Sequence, residues 1–166
     1  MIMAHLPAGY IVANLAWRLL KSRENIRSRF IAAGMAGAIA PDLDMLYFYL
    51  LDHRRHHHHT YWSHFPLLWI CLLLFAAIGF RAKSGGALAA LMVVFSLNGL
   101  IHLFLDSVAG DILWFAPFGD AAYALFTVPA RYDPWWLNFL LHWSFLFEMA
   151  VIVGAVSVWR ARRGVA

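Results

Sequence analysis

The chain has 166 residues, of which 63% are hydrophobic, 16% aromatic and only 13% charged, with a formal net charge of +4. Soluble domains run at roughly 45–50% apolar and about 25% charged, so a soluble domain is excluded and a single integral membrane domain over residues 1–166 is expected. A basic excess that would point to nucleic acid in a soluble chain is expected here to flank membrane helices, and no nucleic-acid partner is predicted.

In chain order the hydropathy pattern predicts five spans, and with them an all-α, polytopic membrane helix bundle. The first covers residues 4–20 and runs into Arg18, Lys21, Arg23, Arg27 and Arg29. No basic n-region or cleavage site precedes it, so this segment is expected to stay. The second, residues 30–51, is broken by Pro41. A polar loop leads to the third, residues 65–80, which holds the lone Cys71 and stops at Arg81 and Lys83. With one cysteine no intrachain disulfide can form. The fourth span, residues 87–105, ends at Asp106. Residues 107–133, with Pro117, Gly119 and Pro129, read as a loop with one short helix before the fifth span, residues 134–159.

Charge orients this bundle. Ten of the thirteen basic residues fall on one side, and only Arg54, Arg55 and Arg131 fall on the other. Cytoplasmic loops carry the excess of Lys and Arg, which puts the N-terminus outside and the C-terminus in the cytoplasm. The acids divide the other way: Asp42, Asp44, Asp52, Asp106, Asp111, Asp120 and Asp133 all belong to the outer half, with Glu24 inside and Glu148 mid-span. Tryptophans at Trp62, Trp114, Trp135 and Trp136 fit an interfacial aromatic belt.

Residues 40–66 concentrate the chemistry. They contain three aspartates, six histidines and two arginines between apolar segments. Ionisable groups in an apolar medium cost several kcal/mol unless paired or bound to an ion. His5, His53, the run His56–His59, His64, His102 and His142 all lie in the outer half as well, so remote segments deliver imidazoles and carboxylates to one region. Each has a plainer reading. Asp42 and Asp44 after Pro41 could simply start a helix, acids facing the positive end of its dipole. His102 and Asp106, four apart, share a helical face and could be a simple pair. The histidine run could be a solvated loop or a tag, His5 could solvate the N-terminus, and His142 and Glu148 could be buried hydrogen-bonding residues.

The blocks HLPAGY, GAIAPDLD, His59-Thr60-Tyr61-Trp62-Ser63-His64 and His102-x-x-x-Asp106 followed by GDILWFAPF occur in the order seen in a group of bacterial inner-membrane proteins. The chain thus resembles the LexA-regulated membrane-bound metal-dependent hydrolases, a family distantly similar to zinc-dependent phospholipase C. That resemblance covers His5 to Phe118 and implies His5, Asp42, Asp44, His59, His64, His102 and Asp106 as metal ligands. Thr60 stands where the family has Arg, and the extra histidines leave the register open, with His58 an alternative to His59.

The expected function is metal-assisted hydrolysis of a phosphoester, with a phospholipid or lipid-linked substrate drawn from the bilayer at the outer face. Mixed His/Asp ligation suits zinc, with manganese or iron as alternatives, and the donor count allows one to three ions. Asp42 or Asp44, if not a ligand, would be the general base. Arg54 and Arg55 would bind the phosphate, because guanidinium matches it bidentately; lipid-headgroup contact is their plainer role. A non-catalytic protein with a structural metal and a metal or ion transporter are the alternatives. The oligomeric state is not readable from the sequence.

Overall fold

A computed structural model of the chain describes residues 3–20, 26–82, 86–134 and 136–163. Lys21, Arg23, Glu24, Lys83 and Trp135, used above for orientation and the aromatic belt, lie outside these residues. Seven α-helices follow in order: α1 (His5–Leu20), α2 (Arg27–Ile39), α3 (Asp44–Leu50), α4 (Pro66–Arg81), α5 (Ala87–Asp106), α6 (Trp136–Leu140) and α7 (Ser144–Arg163). Single 3-10 turns lie at Pro41–Leu43, His58–Thr60 and Trp62–His64. Among the described residues there is no strand, only an isolated antiparallel bridge between Ile112 and Tyr123. The all-α expectation therefore holds.

α5 is the centre of the bundle, packed on α1, α2 and α4, while α7 lies against α1. Small residues allow this. A Cβ added at Gly37 would sit 2.1 Å from the Phe95 carbonyl oxygen, so α2 and α5 meet backbone to backbone, as apolar helices do where side chains do not intervene. At Gly99 an added Cβ would strike the Trp69 ring at 2.0 Å. Trp69 therefore lies flat on α5, and its indole N–H donates to the Ser63 carbonyl at 2.7 Å, which ties the start of α4 to the turn carrying His64.

Pro41 does break the second segment. α2 ends at Ile39, a 3-10 turn follows, and α3 restarts at Asp44. The fifth expected span differs from the prediction. It divides into the short α6 and the longer α7, because His142 folds back on the start of α7, its Nδ1 2.8 Å from Ser144 Oγ and 3.4 Å from the Ser144 amide. The short helix expected within residues 107–133 does not form: that segment holds turns and the Ile112–Tyr123 bridge, and among the described residues no helix lies between α5 and α6.

Among the described residues two helices, α5 and α7, are long and apolar enough to cross a membrane. At 1.5 Å per residue a 20-residue helix spans about 30 Å, the thickness of the hydrocarbon layer. α1 and α4 have 16 residues each and α2 has 13, so length and hydropathy alone support two spans rather than five. The outward faces are nevertheless apolar: Phe75 and Ile78 on α4, Leu88 on α5, and Leu146 and Val153 on α7 are all exposed. The arginine-bearing ends of α1, α4 and α7 (Arg18, Arg81, Arg160) are the opposite ends from His5, Pro66 and Ser144, where these helices begin.

Candidate metal centre

The site forms where four segments end together. His5 is the first residue of α1, and Asp42 sits in the turn that Pro41 starts. Asp44 opens α3, while His59 and His64 are buried on successive 3-10 turns. His102 and Asp106 project from the same face at the end of α5, both fully buried.

Their polar atoms converge. His102 Nε2 lies 2.9 Å from Asp106 Oδ2 and 3.5 Å from Asp42 Oδ1. His64 Nε2 lies 3.8 Å from Asp42 Oδ1 and 3.9 Å from Asp106 Oδ2. His59 Nε2 is 3.7 Å from Asp106 Oδ2, and His5 Nε2 is 3.1 Å from the other oxygen, Oδ1. The rings touch as well. His5 stacks on His102 with centroids 3.9 Å apart, and His59 and His64 follow at 4.8 Å.

The outer nitrogen of three imidazoles is held by an acceptor. His102 Nδ1 donates to the Ala38 carbonyl at 2.8 Å, His59 Nδ1 to the Asp111 carbonyl at 3.1 Å, and His64 Nδ1 to Asp44 Oδ2 at 2.7 Å. An acceptor at Nδ1 keeps the proton there and leaves the Nε2 lone pair facing inward, as metal-bound histidines are held by carboxylate or carbonyl partners. Ser63 Oγ donates to the same Asp44 oxygen at 2.7 Å, so that oxygen is fully engaged in orientation. His64 Nε2 is buried and makes no hydrogen bond among the described residues, while His102 Nε2 faces the Asp106 and Asp42 carboxylates.

These residues fit a cation. Four arms of about 2.0–2.1 Å at tetrahedral angles place donor atoms about 3.3 Å apart. The His/Asp separations of 2.9–3.9 Å around Asp42, His64, His102 and Asp106 bracket that value. Nitrogen and carboxylate donors without sulfur suit zinc and also admit manganese or iron. A second group, His58, His59 and His64, also lies within ion-binding reach. Burial pushes the His59 imidazole down to about 3, which keeps it neutral and available as a donor near neutral pH.

A cavity of about 380 Å³ opens on this cluster. Its polar lining includes Asp42, His57, His58, His59 and Asp106, and its apolar lining includes Met45, Phe126, Val128 and Phe139. Gly110 brings the chain close at the rim, where an added Cβ would be 2.9 Å from His59 Cε1.

The model of the family described as YdjM inner membrane protein matches residues 1–165. The chain belongs to the YdjM inner membrane protein family. No curated protein and no solved structure matches it. Membership places the chain in the inner membrane, as the motif resemblance implied; the hydrolase part of that resemblance rests on the motifs alone.

The structure brings His5, Asp42, His59, His64, His102 and Asp106 together, with Asp44 behind His64. His58 is half-buried with Nδ1 3.8 Å from Asp44 Oδ1. His56 turns away, its ring paired with Asp52 at 2.8 Å and its amide donating to Asp52 at 2.9 Å. Burial opposes ionisation of Asp52, but these bonds hold its carboxyl down at about 2. Arg54 and Arg55 do not join the site. Both are exposed and neither lines the cavity; His53 and Arg54 have φ of 50° and 63°, and Arg54 stacks on the Tyr49 ring at 4.8 Å.

Two supporting groups escaped the sequence reading: the Ala38 and Asp111 carbonyls, backbone atoms with no sequence signal. Glu148, a lone acid in an apolar helix, is the buried hydrogen-bonding residue that its plainer reading expected. Its buried carboxylate accepts the amide of Ala4 at 3.1 Å and that of Met3, holding the start of α1 one residue from His5.

Proposed function

We propose that the chain is a metal-dependent hydrolase of the inner membrane, acting on a phosphoester of a lipid or lipid-linked substrate at the outer face. The single observation that carries this reading is the inward convergence of anchored histidine Nε2 atoms and two aspartates at the wall of a half-apolar cavity. Asp42, His64, His102 and Asp106 would hold the first ion, zinc by donor type, with His59, His58 and His5 available for a second. Such an ion supplies a water of lowered pKa and polarises a phosphoryl oxygen.

The protein's own groups do the rest. Asp44 and the Ala38 and Asp111 carbonyls fix the imidazole tautomers. Of the two acids considered as a base, only Asp42 lines the cavity; it would take that role if His64, His102 and Asp106 hold the ion without it. Met45, Phe126, Val128 and Phe139 would take an acyl or isoprenoid chain and exclude water. The five-span topology, N-terminus outside and C-terminus in the cytoplasm, belongs to the same proposal. The supporting observation is that basic residues end α1, α4 and α7 while the His/Asp cluster gathers at the opposite helix ends.

The 2.9 Å approach of His102 Nε2 to Asp106 Oδ2 favours a second reading, in which a proton replaces the ion and the cluster is a buried ion-pair network. Elemental analysis of the purified protein, with a panel of phosphomonoesters, phosphodiesters and carboxylic esters, separates the two. Stoichiometric transition metal and an activity lost in His64→Ala and Asp106→Ala are expected. Absence of metal would leave the ion-pair network. Metal without ester hydrolysis would make the site structural, and metal flux across proteoliposomes would make the protein a transporter.

A further inference from the structure

A second cavity, of about 300 Å³, lies at the other end of the molecule, between α1 and α7. Ile11, Leu15 and Arg18 line it from one face of α1, at i, i+4 and i+7; Val158, Ala161 and Arg162 line it from α7. The walls are mostly apolar, and among the described residues that line them the charged side chains are the two guanidinium groups, with no carboxylate. A terminal nitrogen of Arg162 donates to the Asn14 carbonyl at 3.4 Å, which pins the side chain across the groove. Its Nε is buried and has no hydrogen-bond partner among the described residues. A desolvated guanidinium N–H without an acceptor is costly, so this donor is set for a ligand that brings its own oxygens.

We propose that this groove binds the phosphate headgroup of an anionic phospholipid from the leaflet at the arginine-rich end. Phosphate oxygens match the guanidinium fork of Arg162, with Arg18 closing from the facing helix. The apolar strip of Ile11, Leu15 and Val158 below them suits the upper part of an acyl chain, which a free phosphate could not use. One turn away Arg163 lies over the Trp159 ring at 4.0 Å, a pairing suited to the headgroup level of a bilayer. Basic pockets between membrane helices on the cytoplasmic side are recognised sites for such lipids. This proposal is independent of the chemistry assigned to the His/Asp cluster.

Native mass spectrometry of the full chain in detergent tests it, with phosphatidylglycerol and phosphatidylcholine of the same acyl chains as probes. Phosphatidylglycerol is expected to be retained with about tenfold preference. Arg18→Gln with Arg162→Gln should reduce it to the phosphatidylcholine level. Val158→Phe, which fills the groove and leaves both charges, should weaken it too, while Arg160→Gln, outside the groove, should not. Circular dichroism of each variant confirms that it is folded, and the Arg160 and Val158 variants keep the test decisive if the double variant is not. Equal retention of both lipids would overturn the proposal. So would loss in Arg160→Gln as large as in the Arg18→Gln, Arg162→Gln double variant, or full displacement of the lipid by glycerol phosphate.

Discussion

Asp44→Asn separates orientation from ligation. Asp44 Oδ2 is engaged twice at 2.7 Å, by Ser63 Oγ and His64 Nδ1, so its work is to hold the ring whose Nε2 faces Asp42 and Asp106. An asparagine oxygen can still accept one of these bonds, but the charge-assisted character is lost, and such bonds are roughly twice as strong as neutral ones. Loss of a group that orients a metal-bound histidine costs about 10–100-fold in metal affinity, or about 1.4–2.8 kcal/mol. Asp106→Asn alters a direct donor that faces His5, His59, His64 and His102 at 3.1, 3.7, 3.9 and 2.9 Å, and should abolish binding in the same range. Competition with a fluorescent zinc chelator, on detergent-purified protein, reads both variants. Asp44→Asn losing metal as completely as Asp106→Asn would make Asp44 a ligand and refute the orienting role. An unchanged affinity would refute any role at the site.

Four further outcomes follow from the same geometry. Glu148→Gln removes a negative charge from the start of α1, where such charges contribute about 0.3–1 kcal/mol and up to about 2 when partly buried; thermal unfolding should come a few degrees lower, with zinc affinity reduced because His5 is less firmly placed. Gly110→Ala should keep the fold by circular dichroism while weakening metal binding, since its Cβ would meet His59 Cε1 at 2.9 Å; unchanged affinity would place His59 outside the ion's reach. Asp52 has a folded value of about 2 against its ordinary 3.8, so its contribution to the loop is present above about pH 4 and fades as pH falls through about 2; amide exchange at His56 should accelerate over that window in the native chain and show no such step in Asp52→Asn. Removing metal with a chelator should destabilise the fold by about 2.7 kcal/mol relative to protein held at a free-metal concentration of 100 times the dissociation constant, and indifference of the unfolding temperature to both chelator and zinc would count against a bound ion.

Much of this site was legible because its chemistry opposes its surroundings. Five histidines and three aspartates stand out in apolar sequence, and Pro41 marks the break that presents Asp42 and Asp44. Their separate roles were not legible. Asp42 and Asp44 are two residues apart, yet one lies in a 3-10 turn and lines the cavity while the other opens α3 and turns to Ser63 and His64. Side-chain direction there depends on where the turn gives way to the helix, which hydropathy does not encode. Arg54 and Arg55 looked well placed for phosphate because they adjoin the histidines in sequence. Positive φ at His53 and Arg54 reverses the chain and leaves both side chains outside the cavity. The division of residues 134–159 into α6 and α7 was hidden for a similar reason, since the break is made by one side chain, His142 on Ser144, within apolar sequence.

The helix contacts explain why ligands so distant in sequence can share one point. Ala38, whose carbonyl anchors His102, is also the residue that a Cβ at Gly9 would strike at 2.5 Å. One residue earlier, Gly37 rests on the Phe95 backbone, two turns before His102 on α5. The spacing between α1, α2 and α5 is therefore set by backbone and methyl contacts within two turns of His5, Asp42 and His102. Helices held this closely leave little freedom to widen the site, so donor separations near 3 Å are a property of the bundle and not only of the side chains. Glu148 extends the same logic to α7, since its hold on the first amides of α1 fixes the axial position of His5. A site built this way places its carboxylates in mutual repulsion unless a cation or protons lie between them, and the bundle supplies the packing that keeps them there.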